Sequence, residues 1–391
     1  MLPLEGITVV SLEHAIAAPF ATRQLADLGA RVIKVERPLV GDFARSYDQR
    51  VNGLASHFVW ANRSKESLTL NLKQADGKDI LQQLLTEADV LVQNLAPGAA
   101  ARMGLSYTDL QTINPRLIVC NVSGYGEGGP YQNRKAYDLL IQAEAGFIST
   151  TGTTDSPSKA GISIADIAAG MYAYSNILAA LIQRGISGQG CNIDVSMLEA
   201  MTEWMGFPLY YAYDGAAPPN RAGASHATIF PYGPFVAGDG NTVLFGLQNE
   251  REWRSFCTTV LQDISLITDP RFTTNSLRVK NKNELTDCVI SGFSQMSAVQ
   301  VIERLEKAGI ANSQMRNMAD VWSHPQLKSR ERWRQVNTSV GMIPALIPPG
   351  GVGPEPRMDP VPGLGEHTSS ILTELKFTHE QISALQRKQA I

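Results

Sequence analysis

The feature that most constrains this chain is the alternation of short β-branched runs with helical patterns along its first part. Ile7–Leu12 is an apolar, β-branched run, Pro19 opens a helical pattern to Leu28, Gly29 ends it, and Arg31–Val35 reads as a second strand. The cycle returns with Leu68–Leu72 extended, Gly77–Glu87 helical with a Leu/Ile face, and Val90–Val92 extended. Tyr107–Ile113 is then helical and Leu117–Val122 extended. Strands joined through helices run parallel, because each crossover returns the chain to the same end of the sheet. The predicted class is α/β, a parallel sheet flanked by helices.

Further on, Asp138–Phe147 and Ile167–Gln183 read as helices, Asn192–Val195 as a strand, and Leu198–Tyr213 as an aromatic-rich, buried helix. The character then changes. Asp214–Ala224 is rich in Gly, Pro and Ala, and Thr228–Phe245 alternates between turn signals at Pro231, Gly233 and Gly238-Asp239-Gly240. Amphipathic helices fill Glu250–Leu305, Ile343–Pro362 is a Pro/Gly-rich return, and Thr378 with Gln381 forms a capping box for a last helix. The expected organisation is a large domain over 1–215, a smaller α+β domain over 216–330, and a segment 331–391 that returns to the large domain.

Composition removes several function classes. A formal charge of −3 without a long basic stretch gives nothing to draw nucleic acid or an anionic membrane to the surface. The four cysteines form no C-x-x-C pair, and the six histidines show no ligand spacing, so no metal is expected and reduced thiols in the cytoplasm are. Met1–Val10 lacks a cationic leader and no apolar run of about 18 residues is evident, so neither export nor spanning is expected.

The first β-α-β unit invites a dinucleotide reading, with Glu36 placed to meet a ribose. The turn His14-Ala15-Ile16-Ala17-Ala18-Pro19 lacks the glycines that let backbone approach a pyrophosphate. Gly124–Pro130 is glycine-rich but lacks the G-K-[ST] ending of a phosphate loop, and there is no G-x-S-x-G or H-E-x-x-H. What remains are polar residues at predicted strand ends, where open parallel sheets bind ligands: Arg37, Asn71, Asn94 and, shortly beyond, Arg102. Fixed cations beside one crevice suit a ligand with several phosphates and an adenine. Asp166 lies within Gly161-Ile162-Ser163-Ile164-Ala165-Asp166-Ile167-Ala168-Ala169-Gly170, at the start of an apolar helix. There it is either a helix cap or a nucleophile kept ionised by the helix N-terminus.

At these residues the chain resembles the class III CoA-transferases, a family that includes formyl-CoA and carnitine CoA-transferases and the related α-methylacyl-CoA racemases. The resemblance runs through Ala26–Pro38, Ala88–Asn94, Pro97–Gly104, Ser123–Gly126 and Leu364–Thr368, in that order. It implies an interlocked, ring-like homodimer, each chain with a Rossmann-like large domain and a smaller domain, and no permanently bound cofactor, coenzyme A being a substrate. It implies Asp166 as the catalytic aspartate, and a CoA site of Ile16, Ala17, Arg37, Leu70, Asn71, Lys73, Asn94, Leu95, Ala96, Arg102, Lys135, Ala136 and Tyr137. The racemase branch carries a histidine where this chain has Tyr137, and tyrosine is a poor base near neutrality, which favours transfer. A racemase and a non-catalytic CoA-binding protein are the alternatives. Ile16 replaces the glutamine of formyl-CoA transferases, while Ala18–Gln24 and Asn62–Ser67 look like members acting on C4 and C5 dicarboxylates. Succinyl-CoA with itaconate, mesaconate or citramalate is the implied substrate class. The Gly124–Gly129 loop and the His226–Gly233 segment are expected to close over the reacting groups.

Overall fold

In a computed structural model, which describes residues 1–351 and 353–391, the predicted alternation closes into one wholly parallel sheet. Val352, within the Pro/Gly-rich return, lies outside the described residues. The strands are β1 (Thr8–Leu12), β2 (Arg31–Glu36), β3 (Lys65–Thr69), β4 (Val90–Gln93), β5 (Ile118–Ser123) and β6 (Asn192–Ser196), in the order β3-β2-β1-β4-β5-β6. Adjacent residues of β1 enter different cores. Val9 packs with α1 (Ala17–Asp27) and α5 (Ile164–Ser187), whereas Val10 packs with α3 (Ala75–Glu87) and the helices Thr368–Glu374 and His379–Arg387. A sheet covered on both faces requires the near-continuous apolar strands seen in the sequence.

The chain divides into two units. The first contains Met1–Phe147, Ala160–Phe207 and Gln326–Ile391, and the second Ile148–Lys159 and Pro208–Pro325. The second unit carries the antiparallel strands β7 (Tyr232–Val236), β8 (Thr242–Gly246) and β9 (Asn312–Gln314) over an aromatic core of Phe235, Phe245, Phe256, Phe293 and Trp253. In the first unit the return segment builds the hairpin β10 (Trp333–Thr338) and β11 (Gly341–Leu346). Arg357 then donates to the carbonyls of Gly29 and Ala30.

Three elements differ from the sequence expectation. β3 begins at Lys65 rather than Leu68, because Lys65 and Ser67 turn inward to buried carboxylates and so look like loop residues in an apolar scan. Leu198–Tyr213 is not one buried helix. It breaks before Gly206 into α6 (Met197–Trp204) and a short helix Gly206–Tyr211, and Phe207, Tyr210 and Tyr213 are exposed. α5 does have the length and apolarity of a membrane span, which the sequence reading did not anticipate. Within the first unit, Ala165, Ala168, Ala169, Ala173 and Ile177 of α5 are buried in the core shared with α1.

α1 and α5 approach closely at Gly170, where an added Cβ would lie 2.7 Å from the Ala17 carbonyl oxygen and 3.0 Å from the Phe20 ring. Backbone cannot yield there as a flexible side-chain tip can. Gly170→Ala is therefore expected to destabilise the first unit by about 1–3 kcal/mol, read as a lower urea midpoint with an unchanged slope.

Candidate functional site

The strand order reverses between β1 and β4, and at such a point the carboxyl ends of parallel strands open a crevice. The turn leaving β1 is fixed there from three sides. Asn94 accepts from the His14 N–H and donates to the His14 carbonyl, both at 2.9 Å. Ala15, held in the left-handed region at φ 59°, donates its N–H to Asp42 Oδ1 at 3.1 Å. Glu13 is fully buried and accepts from Lys65 (2.7 Å), Lys34 (3.3 Å) and Thr22 (2.7 Å).

Beside this turn lies a cavity of about 210 Å³ whose walls include His14, Arg37, Leu70, Asn71, Lys73, Leu95 and Met103. Five of the sequence-expected CoA residues are thus brought together: Arg37, Leu70, Asn71, Lys73 and Leu95. Glu36 also borders the cavity, but its oxygens accept from Asp42 N–H, Arg45 and Ser67, so it is not placed to receive a ribose. Asn94 spends its amide on His14 and acts as scaffold. Ile16 and Ala17 are buried just past the turn, while Ala96 and Arg102 are exposed outside the cavity lining. Lys135 and Tyr137 are exposed on either side of Ala136, which packs so tightly on Gly124 that a Cβ there would collide with it.

Asp166 is the third residue of α5. The capping role open to it is taken by Asp138, at the start of α4 (Asp138–Glu144), whose Oδ1 accepts from Ala165 N–H at 2.9 Å while Oδ2 accepts from Gln142 at 2.7 Å. Asp166 lies near the backbone N–H of Ala17, which favours its ionised form. Burial, and then the Asp138 carboxylate, push its carboxyl up to about 7, with the Ala17 N–H pulling the other way. Tyr47 stands close enough to feel this charge: its phenol is pushed up to about 12 by burial, then by Asp42, Asp166 and Tyr137, so it stays a neutral donor. A ladder of rings, His14 on Phe43 at 5.2 Å and Phe43 on Tyr47 at 5.8 Å, leads from the cavity wall to Tyr47.

The glycine loop is less available than its composition implies. Its Gly126, Glu127 and Gly128 N–H groups already donate to Ser123 Oγ, Asp194 Oδ2 and Gln132 Oε1. The His226–Gly233 segment belongs to the second unit, where His226 stacks on Tyr232.

A strand-end crevice lined by basic residues, and a buried, raised carboxyl at the start of α5, meet a family match that covers most of the chain: residues 4–368 fit the model for CoA-transferase family III. The chain belongs to CoA-transferase family III. This transferase is 35% identical to succinyl-CoA:glutarate CoA-transferase of Mus musculus, over 96% of its own length and 87% of that protein's. It is 32% identical to succinate--glutarate CoA-transferase of Agrobacterium fabrum, over 96% of both chains. An acetyl-CoA:oxalate CoA-transferase of Acetobacter aceti is 34% identical over 84% of each chain. Among solved structures, a CAIB/BAIF family protein from Brucella suis superposes with a TM-score of 0.85 at 33% identity, covering 96% of the transferase and 99% of that chain.

Sequence reasoning missed Asp42, Tyr47 and the capping role of Asp138. None lies on a periodic element facing the crevice. Asp42 and Tyr47 flank the short 3-10 turn Phe43–Ser46, whose only local signal is the Gly41-Asp42 pair before it.

The raised Asp166 carboxyl has a sign that can be checked. Between about pH 4 and 7 the unfolded chain releases this proton while the folded one keeps it, so this residue lowers stability as pH rises. Asp166→Asn is expected to gain little at pH 4 and on the order of 1 kcal/mol at pH 8, allowing for the carboxyl's partial exposure, in paired urea titrations.

Proposed function

We propose that the transferase moves coenzyme A from an acyl-CoA donor, succinyl-CoA foremost, to a C4 or C5 dicarboxylic acid through a thioester on Asp166. The observation that carries the reading is a buried, raised carboxyl at the start of α5 whose capping duty is taken by Asp138, in the same unit as a strand-end cavity lined by Arg37 and Lys73. The relatives named for succinyl-CoA with glutarate support a dicarboxylate acceptor, and itaconate, mesaconate and citramalate share that acid class.

In this scheme an ionised Asp166 oxygen attacks the donor thioester carbon, the C–S bond breaks, and a mixed anhydride and CoA thiolate result. The thiolate then attacks the aspartyl carbonyl, expelling the donor acid as its carboxylate and leaving the aspartyl-CoA thioester. The acceptor carboxylate attacks that carbonyl to release the thiolate, which takes the acyl group of the second anhydride and returns Asp166 as a carboxylate. Each step exchanges one carboxylate or thiolate for another, so neither ATP nor net proton transfer is needed. What the protein must supply is position and exclusion of water from the anhydride.

Arg37 and Lys73 are the cations that would hold CoA phosphates, with Leu70 and Leu95 beside the adenine; binding there can anchor the thiol end. The neutral Tyr47 phenol is a donor suited to an oxyanion near Asp166. A homodimer, with acyl-CoA and small acids as its substrates and a cytoplasmic setting, belongs to the same proposal.

Asp166→Ala is expected to lower succinyl-CoA:dicarboxylate exchange by at least about 10³-fold while CoA affinity in calorimetry stays roughly unchanged. Retained exchange in that variant would remove the aspartate from the reaction.

A further inference from the structure

Gln142 of α4 is fully buried, and the transfer chemistry makes no use of it. Its neighbour Ile141 packs into the core that holds Ala165, Ala168 and Ala169 of α5, where an apolar side chain would avoid the cost of desolvating an amide. What the amide does provide is two bonds. Nε2 donates to Asp138 Oδ2 at 2.7 Å, one turn back on the same helix face, and Oε1 accepts from the Ala160 N–H at 2.8 Å. Asp138 in turn offers its other oxygen, Oδ1, to the Ala165 N–H at 2.9 Å. The two residues thus hold the stretch from Ala160 to Ala165 at its two ends.

Between these grips the stretch is loosely packed. Gly161 and Ile162 are exposed, and a Cβ added at Gly161 would meet no atom within 4 Å. Ser163, at the N-cap of α5, makes no side-chain cap bond. A helix end whose first N–H groups lack partners frays, so the Asp138 bond to Ala165 is what fixes this one. Asp166 is the next residue, and its carboxyl inherits its place from the end that Asp138 holds.

We infer that Gln142 is a positioning residue: by orienting the Asp138 carboxylate toward Ala165 and by holding Ala160, it sets the first turn of α5 and with it the place of Asp166. This deepens the nucleophile reading and rests on it for its catalytic consequence, but the clamp itself can be tested without turnover. Position separates from charge. Gln142→Met removes both amide bonds and leaves the Asp138 carboxylate in the protein, so a change in reactivity reports placement. Asp138→Asn alone sets a second amide donor against the Gln142 donor, whereas adding Gln142→Glu reverses donor and acceptor and restores all three hydrogen bonds.

Hydrogen–deuterium exchange, read by mass spectrometry of peptides covering Ala160 to Asp166, reports the clamp. Steady-state exchange of CoA between succinyl-CoA and a dicarboxylate reports its consequence, with kcat taken per folded molecule from urea titrations. Gln142→Met is expected to speed amide exchange in this stretch about tenfold and to lower kcat about tenfold, with KM for succinyl-CoA within about twofold. Asp138→Asn should show the same losses, and adding Gln142→Glu should recover most of them. Because the exchanged pair keeps every bond, it carries the test if Gln142→Met folds poorly. An unchanged kcat in folded Gln142→Met, unchanged amide exchange there, or no rescue of Asp138→Asn by Gln142→Glu would overturn the inference. If amide exchange follows the expected pattern but Asp166 is never acylated, the nucleophile reading fails and the clamp on α5 stands.

Discussion

The turn between β1 and α1 has no glycine to relax it, and everything at the site depends on the hydrogen bonds that hold it instead. In a dinucleotide fold this turn is shaped by glycines, which let backbone come against a pyrophosphate. Here Asn94 clamps His14, Asp42 takes the Ala15 N–H, and buried Glu13 is gripped by Lys34, Lys65 and Thr22. The same sheet order therefore serves another end. Side chains crowd the crevice, and the basic cavity lies beside the turn.

That carboxylate is balanced between opposed forces. Burial and the Asp138 charge favour the neutral acid, and the Ala17 N–H favours the anion. A carboxyl poised near neutrality is a better nucleophile than a fully stabilised anion and yet is still ionised in a useful fraction of molecules. Asp138 contributes twice, because by capping α5 through Ala165 it frees Asp166 from that duty while placing a second negative charge beside it. The demands of folding and of reactivity meet at these two residues.

Much of this was legible from residue order alone. The β-α alternation implied the parallel sheet because strands covered on both faces have to be apolar, and Asp166 stood out because a carboxylate is costly in an apolar helix. Arg37 and Asn71 fell at strand ends, where the crevice opens, whereas Lys73 was implied only by the family resemblance. The buried ionic network was not legible. Lys34 and Lys65 look like solvent-facing strand residues until their partners, Glu13 and Asp42, arrive from other segments, and that misread also displaced the start of β3. That the cap of α5 falls to Asp138 rather than Asp166 was not legible either, because local sequence cannot bring Asp138 to Ala165.

The central claim is that Asp166 itself carries coenzyme A during transfer. Its most direct test is to mix the protein with succinyl-CoA alone, quench with hydroxylamine, and map the peptides by mass spectrometry. The account predicts a hydroxamate on the Asp166 peptide that requires the acyl-CoA, whereas a peptide left unmodified under conditions of full turnover would contradict it.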